Sequence, residues 1–534
     1  ETLTIKREGF VTASKPSFGL MNGTTTDPTV GGYIWSYVGA FFRLNYGYKG
    51  KYLAEVSGRY DGSSKFPTNS KWGFFPSASV AWRVSEEPWM KWSEEWLDNF
   101  KIRLSAGSMG NGNVDPYSYT SEMTVVTASD IVLGGGLPSY TTVGSTVPVS
   151  LTWEKSTTYD LGLDLDFLNN RLSFSGDYYR RYTTDMYTPS ISLPSVYGTT
   201  SPKGNNAELR TTGWELSLTW RDSFKLGGKP FDYSIKAMVW DNRTVVTKYE
   251  NATRSLGTLK GYIQNGGSPS DFYEGMELGE MWGYTVAGLF RDQADIDSSA
   301  THDFTQASDK VTRPGQVKIA DLDHNGNIDP GAFTADDHGD LSIIGNINPH
   351  YMFGVNLAAN WNGIGLSVFL QGVMKRDWYP SPDSGYFWGK YARPFMWVLG
   401  IHNYTDDMYS EEKNNWDTAY WPRMTTYQSN SSYSWTKLLE IPNTRYKQNA
   451  AYLRVKNIQV DYTFPKALCQ KIRLGGLKIY LSGENLFTFT PLHKYAPNFD
   501  PEALGYDTDF SSTAGDGYTY PVLKSVTLGV NITF

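Results

Sequence analysis

The chain has 534 residues, with 48 Lys and Arg against 55 Asp and Glu, and its formal net charge of −7 gives no footing for a nucleic-acid partner. Aromatic residues make up 15% and Gly occurs 52 times while charged residues are 19%, a combination unusual for a soluble enzyme but suited to a transmembrane β-barrel with an apolar lipid face, a polar lumen and aromatic girdles at both interfaces. The absence of any run of about 18 apolar residues excludes membrane-spanning helices, and the single Cys469 excludes an intrachain disulfide.

The chain opens on ETLTIKREGF, with neither an initiator Met nor a basic-then-apolar signal, as expected of a mature protein or a fragment. Leu3 and Ile5 mark at most one short strand before a Gly/Thr/Ser-rich loop. Strands with one apolar and one polar face then follow in order. Segment 34–48 sets Val38, Ala40, Phe42, Leu44 and Tyr46 against Arg43 and Asn45, and Lys49-Gly50-Lys51 turns it into 52–60. Segment 77–84 runs into SEEPWMKWSEEW, where Trp89, Trp92 and Trp96 recur at helical spacing; they suit either an amphipathic helix at a membrane interface or a surface helix packed on its own protein. A strand at 100–107 precedes the clearest hairpin, 159–167 with 172–182, whose Leu161, Leu163 and Leu165 oppose Asp160, Asp164 and Asp166; in a barrel these acids line the lumen, facing Arg181. Further strands are expected at 213–221, 231–240, 351–361, 364–373, 452–464, 477–489 and 520–534, with Asn362-Gly363 as a two-residue hairpin turn. Within 452–464 the apolar parity switches between Val455 and Ile458, which predicts a bulge or a strand end beyond the bilayer.

Connections alternate in length. Those after residues 48, 84, 167, 221, 361 and 464 are short, whereas those near 61–71, 111–151, 188–205, 248–349, 375–449 and 490–519 are mostly long. Short turns on one side and long loops on the other are how outer-membrane barrels are built. The strands number about 13, and an antiparallel barrel closes only on an even count, so either the Leu3/Ile5 segment is a fourteenth strand or strands are missing upstream. The final VTLGVNITF, Val526 to Phe534, alternates to its last residue; any strand can end in Phe, yet Phe534 in this setting resembles the signal read by barrel-assembly machinery.

Several stretches resemble the SusC/RagA-like TonB-dependent outer-membrane transporters: KYLAEVSGRYDGSSKFPTNSKWGFFPSASVAWRVSEE (51–87), FKIRLSAGSMGNGNV (100–114), GQVKIADLDHNGNIDP (315–330), IIGNINPHYMFGVNLAANWNGIGLSVFLQG (343–372), AYLRVKNIQVDYTF (451–464), and the C-terminal SGENLFTFTPLHKYAPNFDPE and YPVLKSVTLGVNITF. The resemblance spans about residue 30 to the end. It implies an all-β, 22-stranded transmembrane barrel in the bacterial outer membrane that is plugged by an N-terminal domain and imports glycans, oligosaccharides or peptides. It also implies energy from the TonB complex and a SusD-like lipoprotein cap. On that template residues 1–534 are the C-terminal part of the barrel, the last 13 strands, with the plug and first strands outside this chain as partners.

Two constellations carry chemistry. Asp321, Asp323, Asn325, Asn327 and Asp329, with Gly326 at the sharp turn, reproduce the first nine positions of an EF-hand-type calcium loop; position twelve is Ala332 where a bidentate Glu belongs, and Asp336 or Asp337 is the expected substitute. Such a calcium would be structural, pinning a long surface loop, while the plainer reading is an Asx-rich turn. The loop 375–449 is dense in rings, among them Trp378, Tyr379, Tyr386, Trp388, Tyr391 and Trp397, which suit sugar stacking or docking of a partner lid if exposed, and a small loop core if not. The six His are scattered through loops and there is no HExxH, phosphate-cradling loop or nucleophile elbow, so no enzyme and no organic cofactor are expected. The leading expectation is a TonB-dependent importer; a stand-alone porin-like barrel of about 14 strands and a barrel-anchored surface binding protein are the alternatives.

Overall fold

A computed structural model describes residues 2–4, 29–31, 33–120, 123–127, 139–143, 147, 151–189, 203–302, 311–380, 387, 407–423, 441–504 and 522–534. Thirteen strands form one antiparallel sheet, each paired with the strands before and after it in the chain. They are β1 (Tyr37–Tyr48), β2 (Tyr52–Ser63), β3 (Trp72–Arg83), β4 (Leu97–Asn111), β5 (Glu154–Phe167), β6 (Leu172–Pro189), β7 (Lys203–Leu226), β8 (Lys229–Lys248), β9 (His350–Trp361), β10 (Ile364–Lys375), β11 (Tyr452–Thr463), β12 (Gly476–Phe489) and β13 (Ser525–Thr533). All thirteen expected strands are present. Several are longer than expected, and β7 and β8, at 24 and 20 residues, exceed the roughly 9–11 that a tilted strand needs to cross a bilayer.

The fourteenth-strand reading of Leu3 and Ile5 is corrected: Thr2–Thr4 pairs with Thr29–Gly31 in a separate two-stranded ladder. Among the described residues no pairing joins β1 to β13, and each offers one free edge.

Period-two alternation dictates the two faces. The register aligns Val80, Leu104, Leu161 and Tyr178 across β3 to β6, and all four are 46–52% exposed. Large apolar residues standing in register and open to the surroundings make a continuous apolar face that water would not tolerate. The opposite face is polar. Arg103 donates to Asp164 at 2.8 and 3.0 Å and pairs with Asp177 at 2.9 Å, so the cation held by the β5 acids comes from β4, not from Arg181 as expected. The register explains the change: Arg103 lies opposite Gly162, where a Cβ would stand 2.5 Å from its guanidinium carbon. Arg181 instead reaches Thr158 at 3.4 Å.

The short connections are built from residues at positive φ, which right-handed twist demands of tight hairpins. Asn362 and Gly363 have φ of 48° and 90°, and Gly227 and Gly228 have 57° and 77°. The Trp-rich segment forms a 3-10 turn over Pro88–Ser93 rather than a longer helix. Met90 packs inward against Val84 and Leu97, while Trp89 and Trp92 are 58% and 70% exposed. Trp96 stacks on Phe167 with centroids 6.0 Å apart. In β11 the pairing with β10 sets the consecutive Phe369 and Leu370 opposite Asn457 and Val455, leaving Lys456 bulged where the parity switch was expected.

Candidate functional site: the loop cap and the polar face

The buried core lies almost wholly in the long connections, not in the sheet. The segment 249–349 opens by extending the wall: the main chain of Gly275, Met276 and Leu278 bonds to Val246 and Thr244 at 2.9 Å, taking the place beside β8 that β9 occupies lower down. It then folds on itself, pairing Glu280–Tyr284 with Leu341–Asn346 and Val286–Leu289 with Val317–Ile319. Thr258 and Asp292 cap its two short helices by accepting from Gly261 N at 3.1 Å and Asp295 N at 2.8 Å. Tyr262, Trp282, Tyr284 and Leu341 from this segment join Trp378, Tyr379, Phe387, Trp421 and Tyr446 from the next, and Leu492 and Phe499 from the last, in one cluster.

Arginines draw the loops together. Arg376 donates to the carbonyls of Ile347, Pro501 and Leu504 at 3.3, 3.0 and 2.7 Å. Arg454, only 3% exposed, pairs with Asp500 at 2.5 Å and Glu502 at 2.8 Å and donates to Thr488 at 2.9 Å, while Lys456 of the bulge reaches Glu502 at 2.7 Å. Sequence reading saw Arg454 only as a strand residue. The only sequence signal was the pair of acids in NFDPE, Asp500 and Glu502, which the structure brings to it.

The rings expected at the surface divide. Trp378 and Tyr379 are each 1% exposed: Trp378 packs on Phe499 with centroids 5.0 Å apart, and Tyr379 accepts from Asn443 Nδ2 at 2.8 Å. As sugar-stacking platforms they are therefore corrected; loops of this length bury their largest rings to hold a shape. Tyr386, Trp388, Tyr391 and Trp397 lie outside the described residues.

The acidic loop is rearranged relative to expectation. Asp321 and Asp323 converge with Asp340, carboxylate oxygens of all three lying within 4.8 Å of one another. Asp340 is fully buried and accepts from Leu322 N at 2.6 Å and Asp329 N at 2.9 Å. Burial pushes its carboxyl above the usual range, with the Asp323 charge acting the same way against backbone amides at Asp329, Leu322 and Asp323. Asp321 takes Gly326 N at 3.0 Å on one oxygen, and its other oxygen is buried and accepts nothing from the described residues. Asn325 donates to Asp323 and receives Asn327 N, and Asp329 accepts from Gly331 N at 2.7 Å, so these three brace the turn. Asp336 is paired with Arg254, and the carboxylate that joins Asp321 and Asp323 is Asp340. Position-by-position counting missed Asp340 because a chain reversal, not loop spacing, delivers it.

Where the cap meets β8, β9 and β10 lies a cavity of about 750 Å³ lined by both charges. His350 meets Asp241 at 2.9 Å, Arg243 meets Glu277 at 2.6 Å and Lys447 meets Asp377 at 2.9 Å. Such a lining offers donors and acceptors to a polar ligand and no nucleophile–base pair.

A meander with one apolar and one polar face, tight turns on one rim and packed loops on the other is the geometry of an outer-membrane barrel wall. Residues 7–319 match the family model described as TonB dependent receptor-like, beta-barrel. The chain belongs to this family. That places it in the bacterial outer membrane, with the face of Leu104 and Leu161 toward lipid and that of Arg103 and Asp164 toward the lumen. Among curated relatives, TonB-dependent receptor P3 of Formosa agariphila is 28% identical over 508 residues, covering 93% of this chain and 45% of its own. TonB-dependent receptor SusC of Bacteroides thetaiotaomicron is 25% identical over 513 residues, covering 93% and 44%. The solved RagAB peptide importer in its open-open state has a TM-score of 0.71 at 21% identity, covering 98% of this chain and 50% of that one, a likeness of fold. The named relatives are receptors and transporters, not enzymes, as the missing catalytic motifs led one to expect. The chain spans about half the length of the curated relatives it matches.

Proposed function

We propose that this chain forms the C-terminal wall and surface cap of a TonB-dependent importer, which takes glycans, oligosaccharides or peptides across the outer membrane together with a SusD-like surface lipoprotein. The observation that carries this is the cap itself: three long connections share one core on one rim of a wall whose inner face is charged. A passive pore needs an open mouth, whereas a packed rim suits capture of a bulky ligand and docking of a lid. Further barrel strands pair with the free edges of β1 and β13, and the plug fills the lumen they enclose.

Within the cap, Asp321, Asp323 and Asp340 hold a structural calcium. Three crowded carboxylates, one of whose buried oxygens accepts from no donor among the described residues, are the arrangement that a hard cation relieves. Chelation should then expose the cap to protease, and Asp340→Asn should abolish the calcium effect; indifference of the wild type to chelator would remove calcium from the reading.

The transport reading is tested in a strain deleted for the protein and complemented with it. Uptake of labelled oligosaccharides or peptides should depend on the protein and stop when TonB is inactivated. Uptake that persists without TonB would instead identify a passive porin.

A further inference from the structure

We infer that the lipid-facing wall holds a phosphorylated lipid of the outer leaflet, with an acyl chain in a groove over Ala78 and Ala106 and its phosphate against Arg180 and Arg210. The groove, about 730 Å³ in volume, exists because two neighbouring strands place Ala opposite Ala where the rung toward the turns carries Val80, Leu104 and Leu161. Tyr178 lines it on the Val80 rung, Tyr159 on the Ala rung and Tyr182 one rung nearer the loops, rings that pair an apolar body with a polar tip and so favour the membrane interface.

Register carries the charge. The rung that starts at Ala78 and Ala106 continues through Tyr159 to Arg180, Thr212 and Arg243, and Tyr182 on the next rung stands opposite Arg210. Arg243 is matched by Glu277 at 2.6 Å. Arg180 and Arg210 are exposed, and neither pairs with a carboxylate among the described residues.

Height fits as well. Arg180 lies eight residues along β6 from Leu172, whose partner Trp220 bonds to Tyr233 at 3.0 Å in the belt near the turns. At about 3.3 Å per residue and a tilt of about 40°, that is roughly 20 Å, close to the far edge of an apolar band about 25 Å tall. Two guanidinium groups with no carboxylate partner at the headgroup level, beside a dry groove, match a phosphate joined to an acyl chain; guanidinium binds phosphate through paired hydrogen bonds. A second copy of this chain docking here would cover the groove but bring no anion shown to face these arginines.

The test is native mass spectrometry of the protein extracted in mild detergent from outer membranes, with assembly checked by heat-modifiable migration. The wild type should retain a phosphorylated lipid that millimolar inorganic phosphate does not displace. Arg180→Gln with Arg210→Gln should reduce retention about tenfold, the equivalent of about 1.4 kcal/mol. Ala106→Leu, which fills the groove and leaves both charges, should reduce it comparably and decides the matter if the double variant fails to assemble. Unchanged retention in the assembled variants, equal retention of a phosphate-free lipid, displacement by inorganic phosphate, or a lipid-free dimer would overturn the site.

Discussion

The wall and the cap solve opposite problems with one chain. In the wall, the largest apolar side chains are exposed: Leu161, Leu218 and Leu528 are 50%, 47% and 72% open, and lipid is their solvent. In the cap, Trp378, Trp421, Tyr262 and Tyr284 are buried to 2% or less, as in a water-soluble domain. Backbone hydrogen bonds alone fix the wall's order, strand to neighbouring strand, and its side chains need only match lipid on one side and water on the other. The cap has little ladder of its own and is held by ring packing and buried arginines. The two regions should therefore fail separately.

The largest effects should fall on the cap. Trp421 packs edge-on against Phe387 and nearly parallel to Tyr446, with centroids 5.5 and 5.7 Å away. Trp421→Ala should cost about 3–5 kcal/mol of cap stability, seen as new protease cleavage in the loops while the wall keeps its heat-modifiable migration. Simultaneous loss of both would show that wall and cap are one cooperative unit. Arg454→Ala leaves Asp500 and Glu502 without their cation and should cost about 3 kcal/mol, again read by loop proteolysis.

The wall is probed by facing. Leu218→Arg puts a charge into lipid, at roughly 2–4 kcal/mol near the midplane and less toward the interfaces, and should lower the yield of assembled barrel. Asp164→Asn removes a charge from a water-facing cluster around Arg103 and should cost less than about 1 kcal/mol. Equal yields of the two variants would reverse the assigned faces.

The wall was legible in sequence because period-two alternation is local: each of thirteen strands announced itself, and even the Lys456 bulge showed as a parity switch. Strand partners were less legible. Arg103 instead of Arg181 meets the β5 acids because of a Gly opposite it, a matter of register between distant segments. The cap was read as an acidic turn and a list of rings either exposed or in a loop core, since nothing periodic distinguishes Trp378, which is buried, from a ring in water. The same limit hid Asp340, which reaches Asp321 and Asp323 through a chain reversal.

The smallest effect distinguishes the regions by pH. His302 is buried in the cap, where Nδ1 donates to the Ala300 carbonyl at 2.7 Å and Nε2 accepts from Ile319 N at 2.9 Å, an arrangement only the neutral ring can make. Burial holds its pKa below the ordinary value near 6.5, with nearby Lys318 acting the same way and the Ala300 carbonyl opposing. The unfolded loop therefore binds the proton more readily than the folded one, so this contribution to stability is complete above about pH 6.5 and declines as pH falls toward the folded pKa. Loop proteolysis should accelerate modestly between about pH 7 and pH 5.5, and His302→Gln should flatten that part of the dependence. A pH response unchanged by the substitution would remove His302 as its origin, and Asp340 could not replace it. There the sign is opposite: a raised folded pKa makes the metal-free loop more stable as the carboxylate protonates, so acid would tighten the cap instead of loosening it.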